Sequence, residues 1–200
     1  MMVIKKALFI TSMADYDTFP DKGLMQIAIV GRSNIGKSSL INTLLNRREL
    51  AKTSSTPGKT RLINIYNVND VFHLVDLPGY GFAKVSKAEK SKWNDMMNRY
   101  FSRSAELAHV LHLVDIRHDP SSDDVTMNRF LRQTGIPFTV VMTKADKLSR
   151  NQCKRNMLSI LFKLETQPWQ GIVFSSIDGR GRNELLEVLQ NITKNGERTS

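Results

Sequence analysis

The chain has 200 residues, of which 40% are hydrophobic, which is enough for one α/β domain with a single core and too little for two full domains. Its single cysteine, Cys153, excludes an internal disulfide framework, and no apolar stretch approaches the roughly 20 residues that cross a bilayer, so we expect a cytoplasmic protein without membrane insertion. The formal net charge of +10 predicts attraction to polyanions.

The first ten residues place Lys5 and Lys6 before a short apolar run, as a secretory leader does. That run ends at Thr11, and three acidic residues follow before any leader cleavage site. We therefore predict an N-terminal strand and its loop over residues 1–24, as part of the same domain as the rest of the chain.

A phosphate-binding loop with the pattern G-x-x-x-x-G-K-S follows the apolar run Ile27–Val30 and precedes a helix-like stretch. Small residues in such a loop let backbone N–H groups close around phosphates, the lysine reaches the β- and γ-phosphates, and the serine hydroxyl binds Mg²⁺. The sequence thus predicts a nucleoside triphosphate, with Lys37 as a catalytic residue and Ser38 as a metal ligand. The predicted contacts are Gly31, Arg32, Ser33, Asn34, Ile35, Gly36, Lys37 and Ser38.

A polar loop punctuated by Pro57 and Gly58 comes next, and loops of this kind become ordered when a ligand holds them. Thr60 is its best Mg²⁺ ligand and a second candidate for catalysis. The predicted nucleotide contacts in this segment are Gly58, Lys59, Thr60, Arg61 and Leu62.

Strand patterns over 61–68 and 71–75 flank the turn-forming pair Asn69-Asp70 and predict an antiparallel hairpin. The second strand ends in Asp-x-x-Gly. An acidic residue at the carboxyl end of a strand beside a phosphate loop holds Mg²⁺ through water, and a glycine N–H approaches the γ-phosphate without hindrance. Asp76 is therefore the predicted metal ligand, and Gly79 the predicted γ-phosphate sensor and a catalytic candidate. The predicted contacts are Asp76, Leu77, Pro78 and Gly79.

A base-reading motif is predicted at Thr143, Lys144, Ala145 and Asp146, after the apolar run 138–142. A carboxylate there accepts hydrogen bonds from N1–H and the 2-amino group of guanine, and adenine has neither donor at that edge. Because the wrong base would leave buried groups unpaired, Asp146 predicts GTP and disfavours an ATP-dependent kinase.

The remaining pattern alternates strands and helices. Parallel strands are predicted near 27–30, 109–114, 138–142 and 172–174, and helices over 37–45, 88–103, 122–133, 150–164 and 181–192. This is an α/β fold with a mixed, mostly parallel sheet, one reversed strand and helices on both faces. Ligands of such sheets bind beyond the carboxyl ends of the strands, where the motifs fall. The last motif, a backbone-dominated contact to the base, consists of Phe174, Ser175 and Ser176.

Two groups of side chains between the motifs carry weaker patterns. The large side chains at positions 93, 96, 97 and 100 recur at helical spacing and predict a stripe that faces the core. Arg117 and His118 follow a strand that ends in Asp115, and we expect a solvated loop start there rather than catalytic support.

The motifs, in this order and spacing, resemble the Era/TrmE-type GTPases and, more closely, the EngB (YsxC/YihA) family of bacterial ribosome-assembly GTPases. The closer match is carried above all by Asp76–Ala83, which reads D-L-P-G-Y-G-F-A, together with Gly31–Ser39, Thr56–Thr60 and Thr143–Leu148. The resemblance implies a Ras-like P-loop GTPase fold, with an EngB-type G domain over residues 25–193 and a flexible tail over 194–200.

The position after Asp-x-x-Gly, where many GTPases have the glutamine that orients the attacking water, is Tyr80, so we expect slow intrinsic hydrolysis. Compensation comes from a partner or from K⁺, because in related potassium-dependent GTPases an asparagine at the position of Asn34 helps to hold K⁺ against the phosphates. The resemblance thus makes Asn34 a catalytic candidate and adds K⁺ to Mg²⁺ as a candidate cofactor. The alternative is that Asn34 only stabilises the loop.

The resemblance, together with the basic charge, implies a monomeric, Mg²⁺-dependent GTPase that binds the large ribosomal subunit and its rRNA and acts in its assembly. It also implies a role in cell division and septation, downstream of ribosome supply. The alternative is a nucleotide-gated rRNA-binding module with incidental GTP turnover. We further expect GTP to fix a partner-binding surface around Tyr80, Gly81 and Phe82.

Overall fold

The computed structural model describes residues 2–14, 19, 23–52, 62–81 and 87–196, with only the backbone for 87–90, 195 and 196. Within these ranges the strands are β1 (Ala7–Met13), β2 (Met25–Gly31), β3 (Ile63–Val68), β4 (Phe72–Asp76), β5 (Leu107–Asp115), β6 (Phe138–Thr143) and β7 (Gly171–Val173). The α-helices are α1 (Lys37–Leu44), α2 (Lys87–Arg103), α3 (Ser122–Thr134), α4 (Arg150–Lys163) and α5 (Arg182–Gly196). Single 3₁₀ turns cover Ala145–Lys147 and Pro168–Gln170.

The last helix, α5, ends later than predicted. The helix continues to Gly196, beyond the predicted end at Ile192 and into the segment predicted as a flexible tail. Ile192 packs against the core and Thr193 is buried, so the additional turn has an inner face that packing stabilises.

The sheet has the strand order β1-β3-β4-β2-β5-β6-β7. β3 runs antiparallel to its neighbours β1 and β4, whereas the pairs from β4 to β7 are parallel. The predicted mixed sheet with one reversed strand is therefore confirmed. Because the parallel strands end at one edge, the loops that follow β2, β4, β6 and β7 converge there.

Both faces of the sheet are covered. Along β2, Ala28 and Val30 face the core layer under α2, α3 and α4, whereas Ile27 and Ile29 face the layer under α1 and α5. Burial on both faces explains why the central strands are continuous apolar runs. Tyr100 on α2 is fully buried, as the predicted stripe requires. None of the described helices is long and apolar enough to cross a membrane.

The hairpin between β3 and β4 turns at the predicted pair. Asn69 and Asp70 both have a left-handed φ of 56°, and Val71 N donates to Val68 O at 3.0 Å, as in a type I′ turn. The ladder pairs Val68 with Phe72, so Val71 belongs to the loop rather than to the predicted strand. In this register Asp76, the last residue of β4, pairs with Asn64.

Candidate nucleotide site

The predicted phosphate loop connects β2 to α1. Its backbone passes through left-handed conformations at Asn34 (φ 61°) and Gly36 (φ 103°), and the second of these is one that residues with a Cβ rarely adopt. Leu40 N donates to Gly36 O at 2.9 Å and closes the first turn of α1. The N-terminus of α1, where backbone N–H groups lack intrahelical partners, thus opens into this loop.

Lys37 and Asp76 form a buried pair of opposite charge in the site. Lys37 Nζ lies 4.0 Å from Asp76 Oδ1, and the side chains are 9% and 3% exposed. Among the described residues, Asp76 Oδ1 has no hydrogen-bond partner. Burial raises the pKa of Asp76, although the charge of Lys37 and a hydrogen bond with Asn64 act in the opposite direction. A buried carboxylate oxygen of this kind is a position that a cation can fill.

The residues at this position fit Mg²⁺, which usually binds one or two protein oxygens together with substrate phosphates and waters. Asp76 and the half-buried Ser38, next to Lys37 at the start of α1, supply such oxygens. Within the described ranges, no group of three or more His, Cys, Asp or Glu side chains could hold a metal. Phosphates of a bound nucleotide would supply further oxygen ligands. Thr60, the third predicted ligand, lies outside those ranges.

The Asp-x-x-Gly segment after β4 continues the sheet ladder alongside the phosphate loop. Leu77 N donates to Ile29 O (3.1 Å), Tyr80 N to Gly31 O (3.2 Å), and Ser33 N to Tyr80 O (2.9 Å). A Cβ on Gly79 would lie 2.9 Å from the backbone nitrogen of Ser33, which is too close. The glycine is therefore required by the contact of two backbones, whatever its role toward a phosphate.

Tyr80 does not form the predicted surface, because its side chain is only 6% exposed. Its hydroxyl donates to Asp124 Oδ1 at 2.8 Å and lies 2.8 Å from His112 Nε2. Burial lowers the pKa of His112 to about 4, so the ring is neutral. Because the Tyr80 hydroxyl donates its one hydrogen to Asp124, Nε2 of His112 is the donor to the tyrosine oxygen. Trp93 Nε1 donates to Pro78 O at 3.1 Å on the other side. Tyr80 is thus a correction to the surface predicted around Tyr80, Gly81 and Phe82, because partners from distant elements bury it; Gly81 is exposed, and Phe82 lies outside the described residues.

At the base end, the structure joins the two motifs that were predicted to contact guanine. Ser175 Oγ donates to Asp146 Oδ1 at 3.2 Å, and Ala145 N donates to Phe174 O at 3.1 Å. Lys147 Nζ lies 3.1 Å from Asp146 Oδ2. Partial burial alone would raise the pKa of Asp146, but hydrogen bonds from Lys147 and Ser175 outweigh it and the pKa is lowered. The carboxylate is thus ionised at neutral pH, as an acceptor of two hydrogen bonds must be.

Asp115, at the end of β5, is a site residue that the sequence interpretation missed. Its carboxylate accepts from Lys144 Nζ (2.9 Å), Arg117 Nε (2.9 Å) and Arg117 Nη2 (2.8 Å). Burial would raise the pKa of Asp115, but these bonds outweigh it and hold the pKa well below its usual range. Arg117 is exposed, as expected, but it also pairs with Asp115 and fixes that carboxylate beside the predicted base reader.

Thr143 connects the two halves of the site. Its side chain is buried, and Oγ1 lies 2.9 Å from the carbonyl oxygen of Ile35 in the phosphate loop and 3.1 Å from that of Val114. The start of the base-reading segment is therefore held directly against the phosphate loop.

Some predicted contacts could reach a nucleotide only through their backbone, since their side chains are in the core: Ile35, Leu77, Ala145 and Phe174. Arg32 is exposed with its side chain beside Gly81, and Leu62 is also exposed. The carbonyl of Ser176 accepts from Thr43 Oγ1 at 3.5 Å. The predicted contacts outside the described residues are Gly58, Lys59, Thr60 and Arg61.

Comparison with known proteins identifies the family. A family model described as a 50S ribosome-binding GTPase matches residues 26–144. A probable GTP-binding protein EngB from Desulfitobacterium hafniense is 48% identical over 193 residues, covering 96% of each chain. The chain belongs to the EngB family. Another EngB protein, from Clostridium beijerinckii, is 48% identical over 189 residues, covering 94% of this chain and 96% of the relative.

Solved structures agree on the EngB fold. A crystal structure of a probable GTP-binding protein EngB matches with a TM-score of 0.70 at 23% identity, covering 85% of this chain and 99% of that chain. Era from Aquifex aeolicus, solved with GDP·AlF4⁻, matches with a TM-score of 0.69 at 23% identity, covering 84% of this chain and 56% of its own. The predicted P-loop GTPase fold is confirmed, and as an EngB-family member the protein is a GTP-binding GTPase.

Proposed function

We propose that this EngB-family protein binds GTP and GDP across the carboxyl edge of its sheet and acts in assembly of the large ribosomal subunit. The observation that carries the site is the link from Thr143 Oγ1 to the Ile35 carbonyl, 2.9 Å, which fixes the base-reading segment against the phosphate loop. A ligand that reaches both ends combines phosphates for Lys37 with a base that donates to Asp146, and GTP meets both requirements.

Each side chain has a distinct proposed role. Lys37 binds the β- and γ-phosphate oxygens, and the Gly79 N–H contacts the γ-phosphate. Ser38 and Asp76 hold Mg²⁺, the latter through water, with Thr60 as the third ligand. When bound, Mg²⁺ neutralises charge that develops on the phosphates during hydrolysis. Asp146 accepts from guanine, and Ser175 orients it.

GTP hydrolysis needs a group that stabilises its transition state. Tyr80 does not provide one, because its hydroxyl is engaged by Asp124 and His112. We propose a ribosomal partner or K⁺ held by Asn34, which is exposed in the phosphate loop. If K⁺ is the source, hydrolysis at constant ionic strength is faster in K⁺ than in Na⁺, and Asn34→Ala removes the difference. Equal rates in both salts would assign the stimulation to the partner.

The ribosomal partner has support from sequence and charge. The matching family model is described as a 50S ribosome-binding GTPase, and a net charge of +10 favours RNA phosphates. Era, solved with MgGDPNP and a segment of 16S ribosomal RNA, has the same fold with a TM-score of 0.63 at 21% identity, so the fold is compatible with RNA binding. In this proposal the protein works in the cytoplasm as a monomer, and effects on cell division and septation follow from ribosome supply.

A nucleotide-gated rRNA-binding module with incidental turnover is the second candidate, favoured by tyrosine at the position of the water-orienting glutamine. Sedimentation with isolated large subunits, in GDP and in a non-hydrolysable GTP analogue, together with hydrolysis rates, separates the two. Tighter association with the analogue and faster hydrolysis on the subunit support the GTPase switch. Association without faster hydrolysis supports the module, and absence of association in both states contradicts the ribosomal partner.

A further inference from the structure

One side of α4 presents exposed apolar and basic side chains together. Phe162 is 84% exposed and Leu158 46%, and Trp169, just beyond the helix, is 79% exposed. The helix sequence contains four Lys or Arg residues and no acidic residue. We refer to Lys154, Arg155, Leu158, Phe162 and Trp169 as the α4 face. Exposed aromatic rings are costly to leave in water, so their grouping with basic side chains indicates a binding surface.

Contacts on the two flanks of α4 show which way this face points. On one flank Asn156 Nδ2 donates to Ile116 O at 2.8 Å, so that side of the helix meets the loop before α3. On the other flank, a Cβ on Gly171 would lie 2.6 Å from Leu161 Cδ1, so Leu161 touches the start of β7.

The α4 face adjoins the free edge of the sheet. Lys154, Leu158 and Phe162 follow one another at spacings of four residues and therefore line one side of the helix. That side continues from the flank of Leu161 toward β7, which is the last strand of the sheet. Trp169 precedes the first residue of β7 by two positions, so it lies at the same edge.

The charge of the face is available to a ligand. Among the described residues, neither Lys154 nor Arg155 pairs with a carboxylate, whereas the nearby Lys163 pairs with Asp119. The acidic Glu165, just after the helix, is engaged by Arg132. Within the described ranges, no carboxylate therefore neutralises the positive charge of Lys154 and Arg155 by an ion pair.

We propose that the α4 face binds unpaired RNA, with bases stacked on Phe162 and Trp169 and phosphates contacted by Lys154 and Arg155. Aromatic platforms beside basic side chains are the arrangement by which proteins bind single strands and loops of RNA. A membrane surface fits less well, because most apolar side chains of α4 are packed on the sheet, which leaves only Leu158 and Phe162 of the helix exposed, whereas helices that insert into a membrane surface have a broad apolar face. The inference rests on the proposed ribosomal function for the source of the RNA.

The test uses the full chain with GDP and a fluorescein-labelled, unstructured RNA of about 12 nucleotides, followed by anisotropy. Phe162→Ala and Trp169→Ala should each lower affinity by about 5- to 150-fold, the range for loss of one stacked base. Lys154→Gln should reduce the slope of log affinity against log salt by about 0.7. Leu8→Ala and Lys5→Gln, both at exposed positions near the opposite edge, are the matched controls and should bind normally.

Tryptophan fluorescence provides a readout that is specific for stacking. RNA should quench the fluorescence of the wild type. Trp169→Phe keeps an aromatic platform, so it should bind RNA with nearly normal affinity but lose that quenching. Trp93, the other tryptophan, is packed against the core and remains as an internal reference.

Several results would overturn the inference: no binding of the RNA by the wild type, unchanged affinity in the α4-face variants, equal losses in the controls, or preference for an RNA duplex or for phosphatidylserine vesicles. Sedimentation of the double variant Phe162→Ala/Trp169→Ala with large subunits separates this test from that of the proposed function. Normal sedimentation overturns the role of the α4 face and leaves the ribosomal partner intact. If the wild type fails to sediment but binds RNA through this face, the inference stands and the ribosomal function falls.

Discussion

The proposed site recognises guanine through one carboxylate, that of Asp146, which its neighbours hold in place. Ser175 donates to one carboxylate oxygen and Lys147 pairs with the other, so both oxygens have fixed positions. Lys144 is held by Asp115, which Arg117 holds in turn. The base reader is thus oriented before a nucleotide arrives, which limits the entropy lost on binding.

We predict that Asp146→Asn shifts the nucleotide preference from GTP toward XTP. An amide can donate to the 2-oxo group of xanthine, whereas it cannot accept from both guanine donors as a carboxylate does. Calorimetric titration with the two nucleotides measures the shift. Ser175→Ala is the control, expected to weaken both without changing their order, and an Asp146→Asn protein that still prefers GTP would contradict the assignment.

A second prediction concerns the hydroxyl of Tyr80. Tyr80→Phe should lower the free energy of unfolding by about 1–3 kcal/mol, since Asp124 Oδ1 and His112 Nε2 lose a buried partner. Urea unfolding at neutral pH measures this loss. The double variant Tyr80→Phe/His112→Leu should recover part of it, because it removes one of the unpaired groups. Unfolding curves that coincide with the wild type would show that the hydroxyl is not engaged.

The contacts of Tyr80 and Asp115 could not be predicted from the sequence, and the physical reason is the same for both. A tyrosine that follows Pro-Gly in a loop has no local pattern that indicates burial, and Tyr80 is buried because His112 on β5 and Asp124 on α3 reach its hydroxyl. Asp115 ends an apolar strand and looks like an ordinary strand terminus. Its role depends on Lys144, from a separate strand-loop segment, which comes close only because β5 and β6 pair.

Among the secondary-structure elements, the end of β6 is central because it serves both halves of the site. Thr143 closes β6, and its hydroxyl contacts the phosphate loop, while Lys144 begins the base-reading turn with a left-handed φ of 63°. In the proposed site, this element would therefore hold the base and the phosphates in fixed relative positions.

We predict that Thr143→Val weakens binding of GTP and GDP to similar extents, by about 10-fold. Valine has nearly the shape of threonine but leaves the Ile35 carbonyl without this donor, at a cost of about 1–2 kcal/mol. Thr143→Ser, which retains the hydroxyl, is the matched control and should bind nearly normally. Fluorescence titration with labelled nucleotides measures both. Equal affinities for the valine and serine variants would show that the link does not support the site.

The elements themselves were predictable because their signals are local. Buried strands appear as apolar runs, and the pair Asn69-Asp70 marks a turn by its chemistry. The ends were less predictable, since Val71 has a strand-forming side chain but is excluded by the register. The last turn of α5 depends on packing of Ile192 against the core, which no local pattern encodes.

For the whole molecule, buried histidines link stability to pH. His109 and His112 lie on the central strand β5, and burial lowers the pKa of each to about 4, although the charge of Asp124 acts against this for His112. The unfolded value is about 6.5, so below that pH the unfolded chain binds more protons than the folded one. These histidines therefore leave the free energy of unfolding unchanged above about pH 6.5 and lower it as the pH falls toward about 4.

The urea midpoint should accordingly fall as the pH is lowered through that window. His109→Gln, which can keep the hydrogen bond to Thr139, should reduce the decline. Asp76, whose pKa is raised by burial, opposes the trend and is the same in both proteins, so their difference isolates the histidine. A midpoint that stays constant across the window, or an equal decline in the variant, would contradict this source of pH dependence.

The most direct test of the whole account is calorimetric titration of the wild type with GTP and ATP in Mg²⁺, beside the variant Lys37→Ala. We expect GTP to bind tightly and ATP not to bind, and we expect Lys37→Ala, with its fold verified by circular dichroism, to bind neither. Lys154→Ala, a basic residue outside the site, should bind GTP as the wild type does. Equal affinity for GTP and ATP, or unchanged GTP affinity in a folded Lys37→Ala protein, would contradict it.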